Sequence, residues 1–257
     1  MKIFSTGPWL SFSGWGISLF FLFPVIGMGQ TANMNNPAQE PVEYTVEDIQ
    51  GSNVQVLEKG SAQWAQAQEG ETLESGDEIK VGDNSQAVIM LQSDTSVNLS
   101  QGTDIKVDQI EDNQKGGFFS RLELLTGQVL ANVKKHLDES GSSFEVDAGG
   151  VVCGVRGTAF EVNSQGGDVQ TLTHEGTVDV KSGDQENLVQ AGNAFSFRNG
   201  RFSGRRLLDQ EEIHRFEKWR EHRQLVFEKR RHRLEDIRNG VRKPWIHRHW
   251  HRHRHFS

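Results

Sequence analysis

Between Gln50 and Phe202 the chain reads Val54-Gln55-Val56-Leu57, Ile79-Lys80-Val81, Ala87-Val88-Ile89-Met90-Leu91, Val97-Asn98-Leu99 and Ile105-Lys106-Val107. Further on come Gln128-Val129-Leu130-Ala131-Asn132-Val133, Val169-Gln170-Thr171-Leu172 and Val178-Asp179-Val180. These are short runs rich in β-branched residues, many alternating apolar with polar, and turn signals recur roughly every 8–12 residues. Gly76-Asp77, Gly82-Asp83-Asn84, Gly149-Gly150 and Gly166-Gly167 stand where such runs must reverse. Glycine takes positive φ at little steric cost, and Asp or Asn bonds its own backbone in a turn. No helix-length period interrupts the series, so βαβ units and a nucleotide-binding parallel sheet are not expected. The pattern predicts an all-β domain, either a compact twisted β-sandwich or a short solenoid-like stack.

Outward from that stretch, the ends differ from the middle. The whole chain of 257 residues carries a net charge of −7, but residues 205–257 hold 16 Lys and Arg against 8 Asp and Glu, or +8. The remaining 204 residues therefore carry −15. An acidic body with a basic end predicts an end that meets polyanions or folds back on its own body. A single cysteine, Cys153, excludes an internal disulfide framework and Cys-rich zinc modules. With no His beside it in sequence, Cys153 reads as a small buried hydrophobe.

The first residues resemble a secretory signal. Lys2 is followed by an apolar stretch from Trp15 to Met28, of signal-core length and short of the ~20 residues a spanning helix needs. Gly27 and Gly29 supply small residues for cleavage before Gln30, an uncleaved anchor being the alternative. Residues 1–29 are thus assigned to a signal peptide and 30–49 to a polar, Pro-punctuated linker, with the fold expected to begin near Glu43 to Gln50. A β domain over 50–204 should follow, then a charged amphipathic helix over 205–242 and a His/Arg-rich tail over 243–257. The expected location is periplasmic or secreted, in a bacterial cell envelope.

Several segments of the β region resemble the FecR domain family, over roughly residues 50–200. Leu73-Glu74-Ser75-Gly76-Asp77-Glu78-Ile79-Lys80-Val81-Gly82 is similar to the family's opening segment, and Asp94-Thr95-Ser96-Val97-Asn98-Leu99 to one of its strands. Leu125-Thr126-Gly127-Gln128-Val129 matches a turn, Val155-Arg156-Gly157-Thr158-Ala159-Phe160-Glu161-Val162 its Val-Arg-Gly-Thr strand, and Glu175-Gly176-Thr177-Val178-Asp179-Val180 the strand after it. Five such segments in order are specific where each alone is not. The chain departs from the pattern at Val81, Thr95 and Asp147-Ala148-Gly149-Gly150, all turn or surface positions. The resemblance implies a non-enzymatic extracytoplasmic domain for sensing or scaffolding, active in cell-surface signalling, and names Gly76, Asp77, Arg156, Gly157, Thr158, Phe160 and Gly176 as motif residues, structural or partner-binding. Its signalling members carry a cytoplasmic segment and a membrane helix ahead of the domain, whereas only a signal-like segment precedes it here.

Alternation places Arg156, Thr158, Phe160 and Val162 on one strand face, with Val155, Gly157, Ala159 and Glu161 on the other. A buried Arg156 would need a carboxylate partner. Catalytic signatures are absent: there is no Gly-x-Ser-x-Gly elbow, phosphate-binding Gly-Lys-Ser/Thr loop or His-Glu-x-x-His. Asp104 and Asp108 read as solvated carboxylates rather than a hydrolase pair. No enzyme is expected.

At the C-terminal end, Asp209 can cap a helix with Glu211 and Glu212 in its first turn. Ile213, Phe216, Trp219, Val226, Phe227, Leu234, Ile237 and Val241 recur at helical spacing, with charges including Lys218, His222, Glu228 and His232 on the opposite face. The stripe predicts docking on the β domain, self-pairing, or an anionic membrane surface. In the tail, His247, His249, His251, His253 and His255 alternate with Arg248, Trp250, Arg252 and Arg254. The imidazoles suit Zn, Ni or Cu, and Arg248, Arg252 and Arg254 suit a polyanion. The expected partner is a protein or a cell-envelope polymer, not a nucleic acid, and no cofactor is expected beyond metal on the tail. The alternative reading is an envelope metal-binding protein that works through that tail.

Overall fold

A computed structural model describes residues 42–91, 95–112, 118–133, 141–155 and 157–240. The signal segment, most of the linker and the His/Arg tail lie outside the described residues. The described chain is mainly strand, with one C-terminal helix. In order the strands are β1 (Tyr44–Gln50), β2 (Val54–Leu57), β3 (Ala65–Gln66), β4 (Thr72–Leu73), β5 (Glu78–Val81), β6 (Gln86–Leu91), β7 (Thr95–Leu99), β8 (Asp104–Asp112) and β9 (Phe118–Asn132). They continue as β10 (Ser143–Ala148), β11 (Val151–Val155), β12 (Ala159–Gln165), β13 (Asp168–Glu175), β14 (Thr177–Ser182), β15 (Gln185–Gln190), β16 (Asn193–Arg198) and β17 (Arg201–Leu207), followed by helix α1 (Gln210–Arg238).

Pairing resolves them into two layers. The first runs β4-β1-β6-β7-β9-β12-β13-β16-β17, antiparallel throughout. The second runs β3-β2-β5-β8-β9-β10-β11-β14-β15, antiparallel except for β9 against β10. Strand β9 belongs to both: its first half pairs with β8 and β10, its second with β7 and β12. The sandwich expectation holds, and the chain passes repeatedly between the layers.

The crossings share one device. Gly127, where β9 changes layers, has φ +95°, and a Cβ there would lie 2.4 Å from the Thr103 Cα. Gly176, between β13 in the first layer and β14 in the second, has φ +79°, and a Cβ there would lie 2.9 Å from the Thr158 Oγ1. Both conditions call for glycine. Thr103 Oγ1 donates to the Gln128 carbonyl at 2.9 Å, and Thr158 Oγ1 donates to the Thr177 carbonyl at 3.1 Å. In each case a Gly-Thr pair buttresses a distant glycine and bonds the residue after it.

The core fills the space between the layers. Val46, Ile89, Val97, Val129, Phe160 and Val162 face inward from the first layer. Val56, Ile79, Ile105, Leu122, Phe144, Val146, Val178 and Val180 meet them from the second. The Phe144 and Phe160 rings pack edge-on at 6.2 Å across the gap. Cys153 is wholly buried there, its Sγ 3.1 Å from the Thr171 Oγ1, and burial pushes its thiol up to about 12. It is an inert core residue.

Two boundaries differ from the sequence reading. β1 begins at Tyr44, within the span where the fold is expected to begin but inside the 30–49 stretch assigned to the linker. Its Glu47 and Asp48 disguise a strand that is buried on both faces, because α1 covers the outer one. The β domain also runs to Leu207, and the helix starts at Gln210 rather than 205. Asp209 caps it as expected, in a capping box: its Oδ1 accepts from the Glu212 N–H at 2.9 Å, while Glu212 Oε2 accepts from the Asp209 N–H at 2.9 Å.

Candidate functional site

Two surfaces of the sandwich carry unusual chemistry. One is the outer face of the first layer, which α1 occupies. The other is a groove on the outer face of the second layer.

The helix face comes from a sequence whose buried stripe is only partly apolar. Glu212, Phe216, Trp219, Val226, Arg230 and Arg233 are buried, at spacings of three, four and seven. Phe216 and Trp219 pack on Leu130 and Ala159, and Val226 packs on Val88 and Met90. Phe216 also stacks on His174 and Arg223 donates to the Asn132 Oδ1, and most of the other contacts are ionic. Glu47, with no exposed surface, accepts hydrogen bonds from Arg230 and, at 2.7 Å, from Arg233. Burial pushes the Glu47 carboxyl up, while the two guanidinium groups pull it down without cancelling the shift. Glu161, also wholly buried, pairs with Arg215 at 3.1 Å. Asp48 meets His222 at 3.1 Å and Lys229 at 2.8 Å. For Asp48 burial acts upward, but the bonds and charges of Lys229 and His222 together hold the carboxyl low. His222 therefore faces the sheet, not the solvent side expected for it. Its Nε2 lies 3.1 Å from both the Asp48 Oδ2 and the Gln50 Nε2 of β1. The basic end of the chain, as far as it is described, folds back on the acidic body.

The groove, of about 640 Å³, crosses β10, β11, β14 and β15. Outward positions of four adjacent strands line up as Glu145, Gly154, Asp179 and Leu188. Gly154 forms the floor. Its φ is not positive, and a Cβ there would meet only the Asp179 carbonyl, at 3.9 Å. Packing therefore does not require glycine at this mid-strand position, where glycine weakens a strand and leaves room for close approach. Glu145 stands on one side, held by Arg121 through bonds of 2.9 and 2.6 Å. On the other, Asp179 Oδ2 meets Lys181 Nζ at 2.7 Å, and Asp179 Oδ1 is buried without a hydrogen-bond partner among the described residues. Val152, Gly157, Gly176 and half-exposed Leu188 complete the lining. The arrangement suits an extended chain laid in a trough whose walls are ion pairs.

The motif residues divide between architecture and this groove. Asp77 is buried, and its two carboxylate oxygens accept the backbone N–H groups of Lys59 and Glu74 at 2.8 and 2.9 Å, so it ties a corner beside Gly76. Phe160 is core, on the face expected for it, with Ala159 and Glu161 turned to the helix, but Val155, expected on their face, is core as well, because β11 ends at Val155 and a separate strand, β12, starts at Ala159. Gly157 and Gly176 reach the groove rim, and Thr158 supports Gly176. Arg156 lies outside the described residues, as do Arg248, Arg252, Arg254 and the five tail histidines. Sequence reading missed Gly154, Glu145 and Leu188. A lone glycine inside an apolar run, Val151-Val152-Cys153-Gly154-Val155, was the signal available.

Residues 77–179 match the FecR protein family. The match supports a signalling or sensing role for the domain. Two crystal structures of a candidate anti-sigma factor from Parabacteroides distasonis ATCC 8503, at 1.65 and 2.50 Å, are similar at 19% identity and TM-score 0.45. Each comparison covers 53% of this chain and 62% of that one. No curated protein matches the chain. No helix among the described residues is long and apolar enough to cross a membrane.

Proposed function

We propose that this protein is a non-enzymatic sensing or scaffold domain of the cell envelope, which binds an extended segment of a protein or envelope polymer in the groove over Gly154. The observation that carries the reading is the open floor at Gly154 between two ion-paired walls, Glu145 with Arg121 and Asp179 with Lys181. The FecR match, which covers β10, β11 and the start of β14, supports a regulatory rather than a catalytic role. An extended ligand would lie across the row Glu145, Gly154, Asp179 and Leu188, its backbone close over Gly154. The secretory-type first thirty residues support an extracytoplasmic location.

The test is Gly154→Leu in the full chain. Leucine fills the trough while suiting a strand better than glycine, so the melting temperature should hold or rise. Material retained from the envelope fraction of the source cells by the wild type should be lost from the variant. Equal retention by both would overturn the groove assignment. Fractionation with N-terminal sequencing tests the location, and a mature terminus between Gly29 and Met34 is expected.

A further inference from the structure

The two sides of the sandwich are closed differently. On one side the outermost strands are the two-residue β3 and β4, too short to offer a pairing edge. On the other side the layers end in β15 and the seven-residue β17, and β17 pairs only with β16 among the described residues. Among the described residues, the other edge of β17 thus presents backbone N–H and C=O groups with no strand partner, the Leu207 carbonyl accepting from the Arg206 side chain at 3.0 Å. Just inside it lie Phe197 and Phe202, both half-buried, with rings 5.4 Å apart.

The charges borne by β16 and β17 themselves have one sign, although two of the arginines meet carboxylates of other elements, Arg198 with Asp168 at 3.7 Å and Arg206 with Glu212. Residues 193–207, which include β16 and β17, hold Arg198, Arg201, Arg205 and Arg206 and no carboxylate, within a body that is otherwise acidic. Pairing puts Arg201 opposite Arg198, on the face away from the Phe197–Phe202 pair, whereas Arg205 lies opposite core-facing Phe195. Arg205 reaches across the open side to the Leu188 carbonyl of β15 at 2.8 Å, and Arg206 is held by Glu212. A strand added here would find apolar surface under alternate residues and guanidinium groups beside the others.

We infer that the free edge of β17 accepts an extended acidic segment of a partner protein as an additional antiparallel strand. Backbone bonds would supply affinity and the arginines the preference for acidic side chains. A second copy pairing through the same edge would set arginine against arginine, and like charges opposite each other destabilise a strand pair. The surface is distinct from the Gly154 groove, so the inference goes beyond the proposed function and can fail without it.

The experiment uses the full chain and an alternating Val-Glu peptide of about ten residues, with its Val-Lys counterpart as control. Backbone hydrogen exchange in β17 should slow by at least about ten-fold with saturating Val-Glu peptide and stay unchanged with Val-Lys. Added salt should weaken binding, and the double variant Arg201→Glu, Arg205→Glu should lower affinity about ten-fold or more at an unchanged melting temperature. Gly154→Leu should leave this binding intact. Any of three results would overturn the inference: no slowing with Val-Glu peptide, protection in the free monomer of the β17 amides that face away from β16, or a dimer paired through β17.

Discussion

Glu47 shows how one residue can hold an element in place. It sits wholly buried on β1 beneath two arginines of the helix, so each charge depends on the others for the solvation it has lost. Glu47→Gln would leave Arg230 and Arg233 without the carboxylate they share, and should cost about 3 kcal/mol or more in chemical denaturation. A loss under about 1 kcal/mol would mean that water reaches the site. Phe160 tests the opposite kind of residue. It is fully buried and touches the second layer through Phe144, so Phe160→Ala should cost about 3–5 kcal/mol by the same measurement. Phe160 was legible in the sequence because strict alternation with Val162 fixed its face. Glu47 was not, since a carboxylate in a strand reads as solvent-facing until the arginines that bury it, more than 180 residues away, are known.

At the scale of elements, helix α1 is a strap with a titratable contact. His174 of β13 stacks on Phe216 with ring centroids 4.2 Å apart, and its Nε2 has no hydrogen-bond partner among the described residues. Burial, reinforced by the Arg215 charge and only partly opposed by Glu212, pulls its pKa down from 6.5 to about 4. A histidine freed from the helix would take up a proton near pH 6.5, whereas the docked one resists until about pH 4. Acidification between those values therefore favours release, and the docked state loses stability across that window. Glu212, held low mainly by its bond to Arg206, adds to the loss only at pH values below the ordinary glutamate range. Glu47 acts with the opposite sign, because its raised carboxyl takes up protons more readily when docked. The melting temperature of the wild type should fall from pH 6.5 towards pH 4.5, and His174→Gln should flatten that slope. Parallel slopes would remove His174 as the cause. The helix itself was legible from Asp209 and its acidic first turn, and so was the apolar half of its buried face, Phe216, Trp219 and Val226, but the charged half was not. Apolar spacing pointed to Leu234 and Ile237, which are only half-buried, because Arg230 and Arg233 hold the sheet-facing positions and have carboxylates to meet.

For the whole molecule, the question is whether the sandwich depends on its strap. The main core contains no helix residue: α1 contributes Phe216, Trp219 and Val226 to two small clusters on the outer face of the first layer. Burying three such side chains stabilises by about 1.5–3 kcal/mol each, before the ordering of the helix is set against it. Without the helix, Glu47 and Glu161 would regain water rather than remain buried and unpaired, which limits the damage. Residues 42–208 should therefore fold alone into a β-rich domain with a single cooperative transition, at a melting temperature lower by roughly 10–20 °C, since about 1 kcal/mol corresponds to 2–4 °C at this size. The cut belongs after Leu208, because β17 runs to Leu207 and a stop at 204 would divide it. Near-ultraviolet circular dichroism with calorimetry decides the matter. Retained aromatic signal and one transition would establish the sandwich as the folding unit and α1 as an added strap. A broad transition with strong dye binding would instead make the helix part of the fold, and acid release would then open the whole domain.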